Sequence, residues 1–302
     1  MIQTLNLDKD FTPFKNGGVH ITFKTLDFYS GIEPHIKLDP KSFDYCDETV
    51  SLITCRPKNG NDLLRVFLAT DAIRQLKKEA KIWLFLPFVP FARQDRVCEP
   101  GEPLSVKVFA DMLNNQKYDR VFVYDPHSDV APALINNCCV IKNHQFVREV
   151  RAEILGNAKS YSDLLFISPD AGSYKKIFNT VKELHHTGKI VICDKVRDTA
   201  TGQIIQTTVN TDDLEGKDVL IVDDICDGGR TFIEIAKELR KRNAGHVFLA
   251  VTFGIFSNGF DDLLQWFDRI YCTNLLKDVD YGYITVIPVE LTTSNDFGLI
   301  TV

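Results

Sequence analysis

No apolar run in the 302 residues approaches the roughly 18–20 residues that a membrane-spanning helix needs. The opening MIQTLNLDKD also lacks the basic-then-apolar pattern of a secretory leader. There is no CxxC pair. The eight cysteines stand scattered at 46, 55, 98, 138, 139, 193, 226 and 272, several of them inside apolar runs. Neither a disulfide framework nor a thiolate metal site is expected from such spacing, and the chain reads as cytoplasmic with reduced, packing cysteines. An excess of positive charge is missing too. The net charge of −6 excludes a general binder of nucleic acid or of acidic membranes, but leaves room for a local basic pocket that takes phosphate. Low-complexity segments and short-period repeats are absent, which excludes a solenoid or a linker-rich array.

What is present is the composition of a globular protein, with 44% apolar and 25% charged residues, and a length that favours two domains. Short apolar runs recur at 82–91, 121–125, 164–170, 190–195, 219–224 and 247–253. Between them lie apolar residues at helical spacing, such as Val106, Phe109, Ala110 and Leu113, and again Phe232, Ile235, Ala236 and Leu239. Runs that are apolar on both faces and alternate with helices indicate mostly parallel sheets flanked by helices, an α/β fold. Periodicity lapses around Gly156, and the expected domains are 1–148 and 149–302.

Five of the runs end in polar residues: FARQDR, DPHSD, SPDAG, DKVR and DDICDGGRT. In open parallel sheets, ligands bind beyond the carboxyl ends of the strands, so these ends point to an anionic ligand held with a metal. The last is the most informative. In VLIVDDICDGGRT an apolar strand runs into adjacent Asp223 and Asp224, two like charges that call for a cation or for hydroxyl donors. Asp227-Gly228-Gly229 then bends the chain into a helix, pointing backbone N–H groups into a concavity that suits an anion. Paired aspartates beside an anion seat suit the neighbouring hydroxyls of a ribose.

VDDICDGGRT resembles the phosphoribosyl-pyrophosphate loop of the phosphoribosyltransferase fold. With PFARQDR, GEPLSVKVFADML, DPH, SPDAG and DKVR in the same order, the set resembles the ribose-phosphate diphosphokinases (phosphoribosyl-pyrophosphate synthetases) over about residues 28–275. The resemblance implies two phosphoribosyltransferase-like domains. It also implies an ATP-dependent diphosphotransferase that moves the β,γ-diphosphate of ATP to the C1 hydroxyl of ribose 5-phosphate, releasing AMP, with Mg²⁺ as cofactor. On that reading Arg93, Gln94 and Arg96 bind ATP, and Asp223, Asp224, Asp227, Gly228, Gly229, Arg230 and Thr231 (loop 223–231) bind the ribose phosphate. His127 and Asp170 hold the metal, and Lys195, Arg197 and His127 are catalytic. Tyr29 and Glu33, in YSGIE, resemble an adenine-binding loop supplied by a neighbouring subunit, which implies a homo-oligomer, a dimer or a hexamer.

Each of these residues has a plainer reading beside the functional one. Arg93 also fits a surface loop, His127 a structural histidine, Asp170 the start of a helix near Ser173–Phe178, and Tyr29 ordinary packing. Lys195 and Arg197 are two apart, so a continuing strand sets them on one side. The pair His185-His186 reads as a solvated helix end.

Three stretches depart from the family pattern. Arg230 stands where the family loop has a small residue, so a larger acceptor such as ADP-ribose, used for NAD synthesis, competes with ribose 5-phosphate. The lid at 95–103 carries only Arg96 as a cation before an acidic Pro-Gly stretch. The C-terminal YITVIPVELTTSNDFGLITV lacks the amphipathic helix usual in the family. A phosphoribosyltransferase and a non-catalytic regulatory relative are the other readings; the first leaves FARQDR, DPH and the additional α/β half unexplained, and the second leaves Lys195, Arg197 and His127 unexplained.

Overall fold

A computed structural model of the chain describes residues 2–8, 19–28, 33–156, 163–197, 204–276, 282, 284–287, 291–294 and 298–301. The chain forms two compact units, Met1–Lys142 with Glu290–Val302, and Asn143–Val289.

In the first unit the strands are β1 (Ile2–Asn6), β2 (Val19–His20), β3 (Phe23–Phe28), β4 (Glu33–Leu38), β5 (Val50–Thr54), β6 (Lys81–Leu86), β7 (Arg120–Tyr124) and β8 (Cys138–Ile141). Helix α1 (Gly60–Leu76) joins β5 to β6, α2 (Ser105–Asn114) precedes β7, and α3 (Val130–Leu134) precedes β8. Six strands form one sheet in the order β2-β1-β5-β6-β7-β8, parallel throughout, while β3 and β4 pair antiparallel as a separate hairpin. The four helically spaced residues of 106–113 are the buried stripe of α2. They pack with Val66 and Ile73 of α1 against Leu5, Ile53, Leu84 and Val123 of the sheet. Each such side chain contributes about 1.5–3 kcal/mol when fully buried.

In the second unit α4 (His144–Leu155), β9 (Leu164–Ser168), α5 (Tyr174–Glu183), β10 (Ile190–Arg197), β11 (Ile204–Val209), β12 (Asp218–Cys226), α6 (Arg230–Lys241), β13 (Val247–Gly254), α7 (Asp261–Leu264), β14 (Arg269–Leu275) and β15 (Ile284–Val286) follow one another. The sheet order is β11-β10-β9-β12-β13-β14-β15, parallel except for β10 with β11. Alternation along β12 sends Val219 and Ile221 toward Ile235 and Leu239 of α6. It sends Leu220 and Val222 toward Val147 and Val150 of α4 and Ile177 of α5. This two-faced burial is why the strand reads as an uninterrupted apolar run.

The expected cut at 148 falls inside α4. The lapse at Gly156 marks that helix's end, where glycine takes a positive φ of 54° as the cap. The C-terminal stretch read as lacking a helix forms a hairpin of β16 (Leu291–Ser294) and β17 (Gly298–Thr301), grouped with the first unit. His186, read as solvated, is buried: His185 turns at φ 49°, and the His186 ring lies against Phe166 with Nε2 3.0 Å from the Leu164 carbonyl. All eight cysteines are free. Burial pushes the Cys272 thiol up to about 12, which suits an inert packing group. Among the described residues no helix is long and apolar enough to cross a membrane.

Candidate active site

Strand order reverses in the second unit between β9 and β12: from β9 the chain moves to β10 on one side, and from β12 to β13 and β14 on the other. Ligands of open parallel sheets bind at such a switch point. Asp170 follows β9, and β12 runs on past its last β9 partner, Ile221, so Asp223 and Asp224 stand at the mouth of this crevice.

Asp224 is buried and Asp223 half-buried. The Asp224 amide donates to Asp223 Oδ1 (3.0 Å), and Thr252 Oγ1 donates to the Asp224 carbonyl (2.9 Å). Burial first, and then the Asp224 charge, hold the Asp223 carboxyl well above the usual carboxylate range. The cation demanded by the doublet is Lys176 of α5, with Nζ 3.8 Å from Asp224 Oδ1. Lys176 escaped the sequence reading because a lysine at the half-exposed edge of an amphipathic helix looks like a solvated one. Its signal is position, four residues after SPDAG in the first turn of α5.

The turn after the doublet leads straight into α6. Gly229 is the N-cap of α6 with φ 77°, and as a glycine it brings no side-chain cap of its own. Neighbouring chain braces the turn: the Ile255 and Phe256 amides donate to the Cys226 carbonyl, and Asn258 Nδ2 to the Gly228 carbonyl (3.3 Å). Asp227 and Thr231 are half-buried, and Arg230, the first residue of α6, is exposed. Asp170 does serve its own turn, since its Oδ1 accepts from the Ser173 amide and hydroxyl, each at 3.0 Å. Lys195 and Arg197 lie on β10 as one strand, where Ile190–Ile192 pair with β9 and Cys193–Arg197 pair with β11. An irregularity in register falls between Val196 and Arg197.

The first unit gathers its own set at the carboxyl ends of β6 and β7. Arg93, Gln94 and Arg96 are exposed beyond β6, and His127 is exposed beyond β7. The two loops are tied by Ser128 Oγ donating to Asp95 (2.8 Å), a bond that no sequence motif announces. Two residues before Arg93, Phe91 takes φ 62°, and two before His127, buried Asp125 takes φ 44°. Such left-handed backbone is costly for an aromatic, and for a residue whose successor is Pro126. Strain of this kind clusters at functional sites. In the lid, Glu102 accepts from the Cys98 and Glu99 amides, so its carboxylate folds onto its own turn. Glu33 is exposed at the start of β4, while Tyr29 lies outside the described residues. Among the described residues no three His, Cys, Asp or Glu side chains converge to hold a metal.

The family model described as the N-terminal domain of ribose phosphate pyrophosphokinase matches residues 43–116, and that of the phosphoribosyl transferase domain matches 141–279. A ribose-phosphate pyrophosphokinase of Mycoplasma genitalium is 32% identical over 243 residues, covering 78% of this chain and 69% of that protein. The chain belongs to the ribose-phosphate pyrophosphokinase family.

Another pyrophosphokinase, from Pyrococcus furiosus, is 30% identical over 233 residues, covering 75% of this chain and 77% of its own length. One from Vibrio cholerae is 33% identical over 205 residues, and there the chain spans 62% of the relative's length. The fold matches that of phosphoribosylpyrophosphate synthetase from Mycobacterium smegmatis with a TM-score of 0.76 at 20% identity, over 95% of this chain and 94% of that one. The pyrophosphokinase N-terminal match contains Arg93, Gln94 and Arg96, and the phosphoribosyl transferase match contains Asp170, Lys195, Arg197 and loop 223–231. Tyr29, Glu33 and His127 fall outside both.

Proposed function

We propose that the protein transfers the β,γ-diphosphate of ATP to the C1 hydroxyl of ribose 5-phosphate, giving phosphoribosyl pyrophosphate and AMP. The observation that carries this reading is the doublet Asp223-Asp224, followed at once by the glycine turn and open N-terminus of α6, at the switch point of a parallel sheet. The carboxylates accept the ribose hydroxyls, and the N–H groups of 228–231 receive the 5-phosphate. In the reaction the C1 oxygen attacks the β-phosphorus, the bond from that phosphorus to the α,β-bridging oxygen breaks, AMP leaves and the hydroxyl proton is lost.

Lys195 and Arg197 neutralise the diphosphate in transit, Arg93 and Gln94 hold ATP beyond β6, and His127 stands by the terminal phosphates beyond β7. Such chemistry depends on placement and charge more than on covalent steps. Mg²⁺ suits the Asp170 carboxylate: it prefers hard oxygens, keeps several waters, and is commonly held by one or two carboxylates plus substrate phosphates rather than by a protein cage. Asp170 and His127 are the residues that would hold it, and its charge would offset that of the triphosphate. A homo-oligomer in which YSGIE reaches a second subunit's ATP follows from the same reading.

The test is AMP formation from ATP and Mg²⁺ with ribose 5-phosphate, and in parallel with ADP-ribose, since the exposed Arg230 at the head of α6 suits a larger 5-substituent. No product with either acceptor sinks the proposal. Product with ADP-ribose alone transfers the same chemistry to the larger sugar.

A further inference from the structure

The alternation that sends Val222 toward α4 and α5, and Ile221 toward α6, continues into the acidic doublet. Asp224 therefore belongs to the α5 side, while the Asp223 carboxyl folds back onto the Asp224 amide and meets the Asp224 carboxyl. Lys176 of α5 meets the first of them. Its side chain is 28% exposed and that of Asp224 is 6% exposed, so the pair sits largely out of water. The Asp224 backbone is fixed at both ends, by its amide to Asp223 and its carbonyl from Thr252. Its carboxylate faces Lys176.

We propose that Lys176 is a positioning residue for the acceptor sugar: paired with Asp224 from α5, it supplies the positive charge that lets the doublet receive the ribose hydroxyls. This deepens the reading of the doublet as a pentose clamp and rests on it. Two adjacent carboxylates in a half-buried crevice do not both stay charged without a compensating cation. The charges that act most on Asp223 are Asp224 of its own strand and Lys176 of α5. From β13 comes the neutral hydroxyl of Thr252, on the Asp224 carbonyl. Remove the ammonium and the pair holds a proton to higher pH. A protonated carboxyl is a poorer acceptor for two hydroxyls, so the loss falls on the sugar rather than on ATP. A point charge suffices for this work, so arginine can replace lysine in part.

The test compares Lys176→Met with Lys176→Arg. In the methionine variant the KM for ribose 5-phosphate rises about tenfold, while kcat and the KM for ATP stay within about twofold. The arginine variant recovers most of the loss. Independently of turnover, the ¹³C carboxyl resonances of Asp223 and Asp224 titrate at higher pH in Lys176→Met than in the unaltered protein. Should that variant fail to fold, Lys176→Gln carries the same two measurements. An unchanged sugar KM, a fall in kcat with the sugar KM intact, or an unmoved carboxyl titration would each overturn the proposal. If the unaltered protein turns over no sugar phosphate, the pentose reading fails by itself, and the carboxyl titration still decides whether Lys176 governs the doublet.

Discussion

Gly229→Ala tests the anion seat where its geometry is most demanding. Gly229 has φ 77°, and a Cβ placed on it would meet the buried Leu263 side chain at 3.0 to 3.1 Å. An L-residue in left-handed backbone costs about 1–2 kcal/mol. The contact with Leu263 adds crowding, because that side chain must give by a few tenths of an ångström. Against this, alanine restricts the unfolded chain and returns about 0.4–1 kcal/mol. The net expectation is a loss of about 1–2 kcal/mol, read as a lower urea midpoint at unchanged slope. Gly216→Ala is the control. It shares the backbone (φ 70°) but has nothing within 4 Å of its Cβ, so the difference between the two variants isolates the Leu263 contact. In the same protein the acceptor KM rises and the ATP KM does not, since only the turn ahead of α6 is displaced. A Gly229→Ala variant with the original midpoint and acceptor KM would refute the reasoning.

Other expected outcomes follow from charge. Lys195→Ala lowers turnover by about a hundredfold or more while ATP still binds in equilibrium titration; normal turnover removes this lysine from the mechanism. Asp223→Asn stabilises the fold at neutral pH. The folded-state carboxyl is held above its unfolded range, so the native site favours the protonated form, and stability is lost as pH rises from the unfolded value through the folded one. Urea midpoints of the two proteins should therefore differ at pH 7 and converge on acidification below the ordinary aspartate range. In the first unit, Arg56 Nε lies 2.5 Å from Asp8 Oδ2, both side chains nearly inaccessible. Arg56→Met alone costs about 3 kcal/mol in a urea melt, and the double variant with Asp8→Leu costs less than the single one.

Much of the fold is legible in the sequence because both sheets are sandwiched. Strands buried on two faces, such as β9 and β12, appear as unbroken apolar runs, and α2 and α6 show each buried position at helical spacing. The β3–β4 hairpin follows different rules. Its burial along β4 is partial and alternating, which leaves EPHIKL too polar to stand out. Gly156 was visible as a break, but a glycine cap and a domain boundary look alike until the helix before it is seen. Within the site, the motifs announced Asp223, Asp224 and the glycine turn. They could not announce Lys176, Ser128 or Asn258, whose meaning lies in what chain folding brings beside them. The Glu102 carboxylate is a similar case. In the string it makes the lid acidic, whereas in the fold it is a hydrogen-bond acceptor for two amides of its own turn.

The division of β10 between two neighbours has a mechanical consequence. Residues 190–192 pair with β9 at the edge of the six strands β10-β9-β12-β13-β14-β15, Cys193 is still buried in their core, and 194–197 run on in a two-stranded ribbon with β11. Displacing the backbone that carries Lys195 and Arg197 therefore strains one ladder, that with β11. Amide exchange should step up sharply along the strand after Cys193, and the ribbon can shift while β12 stays still.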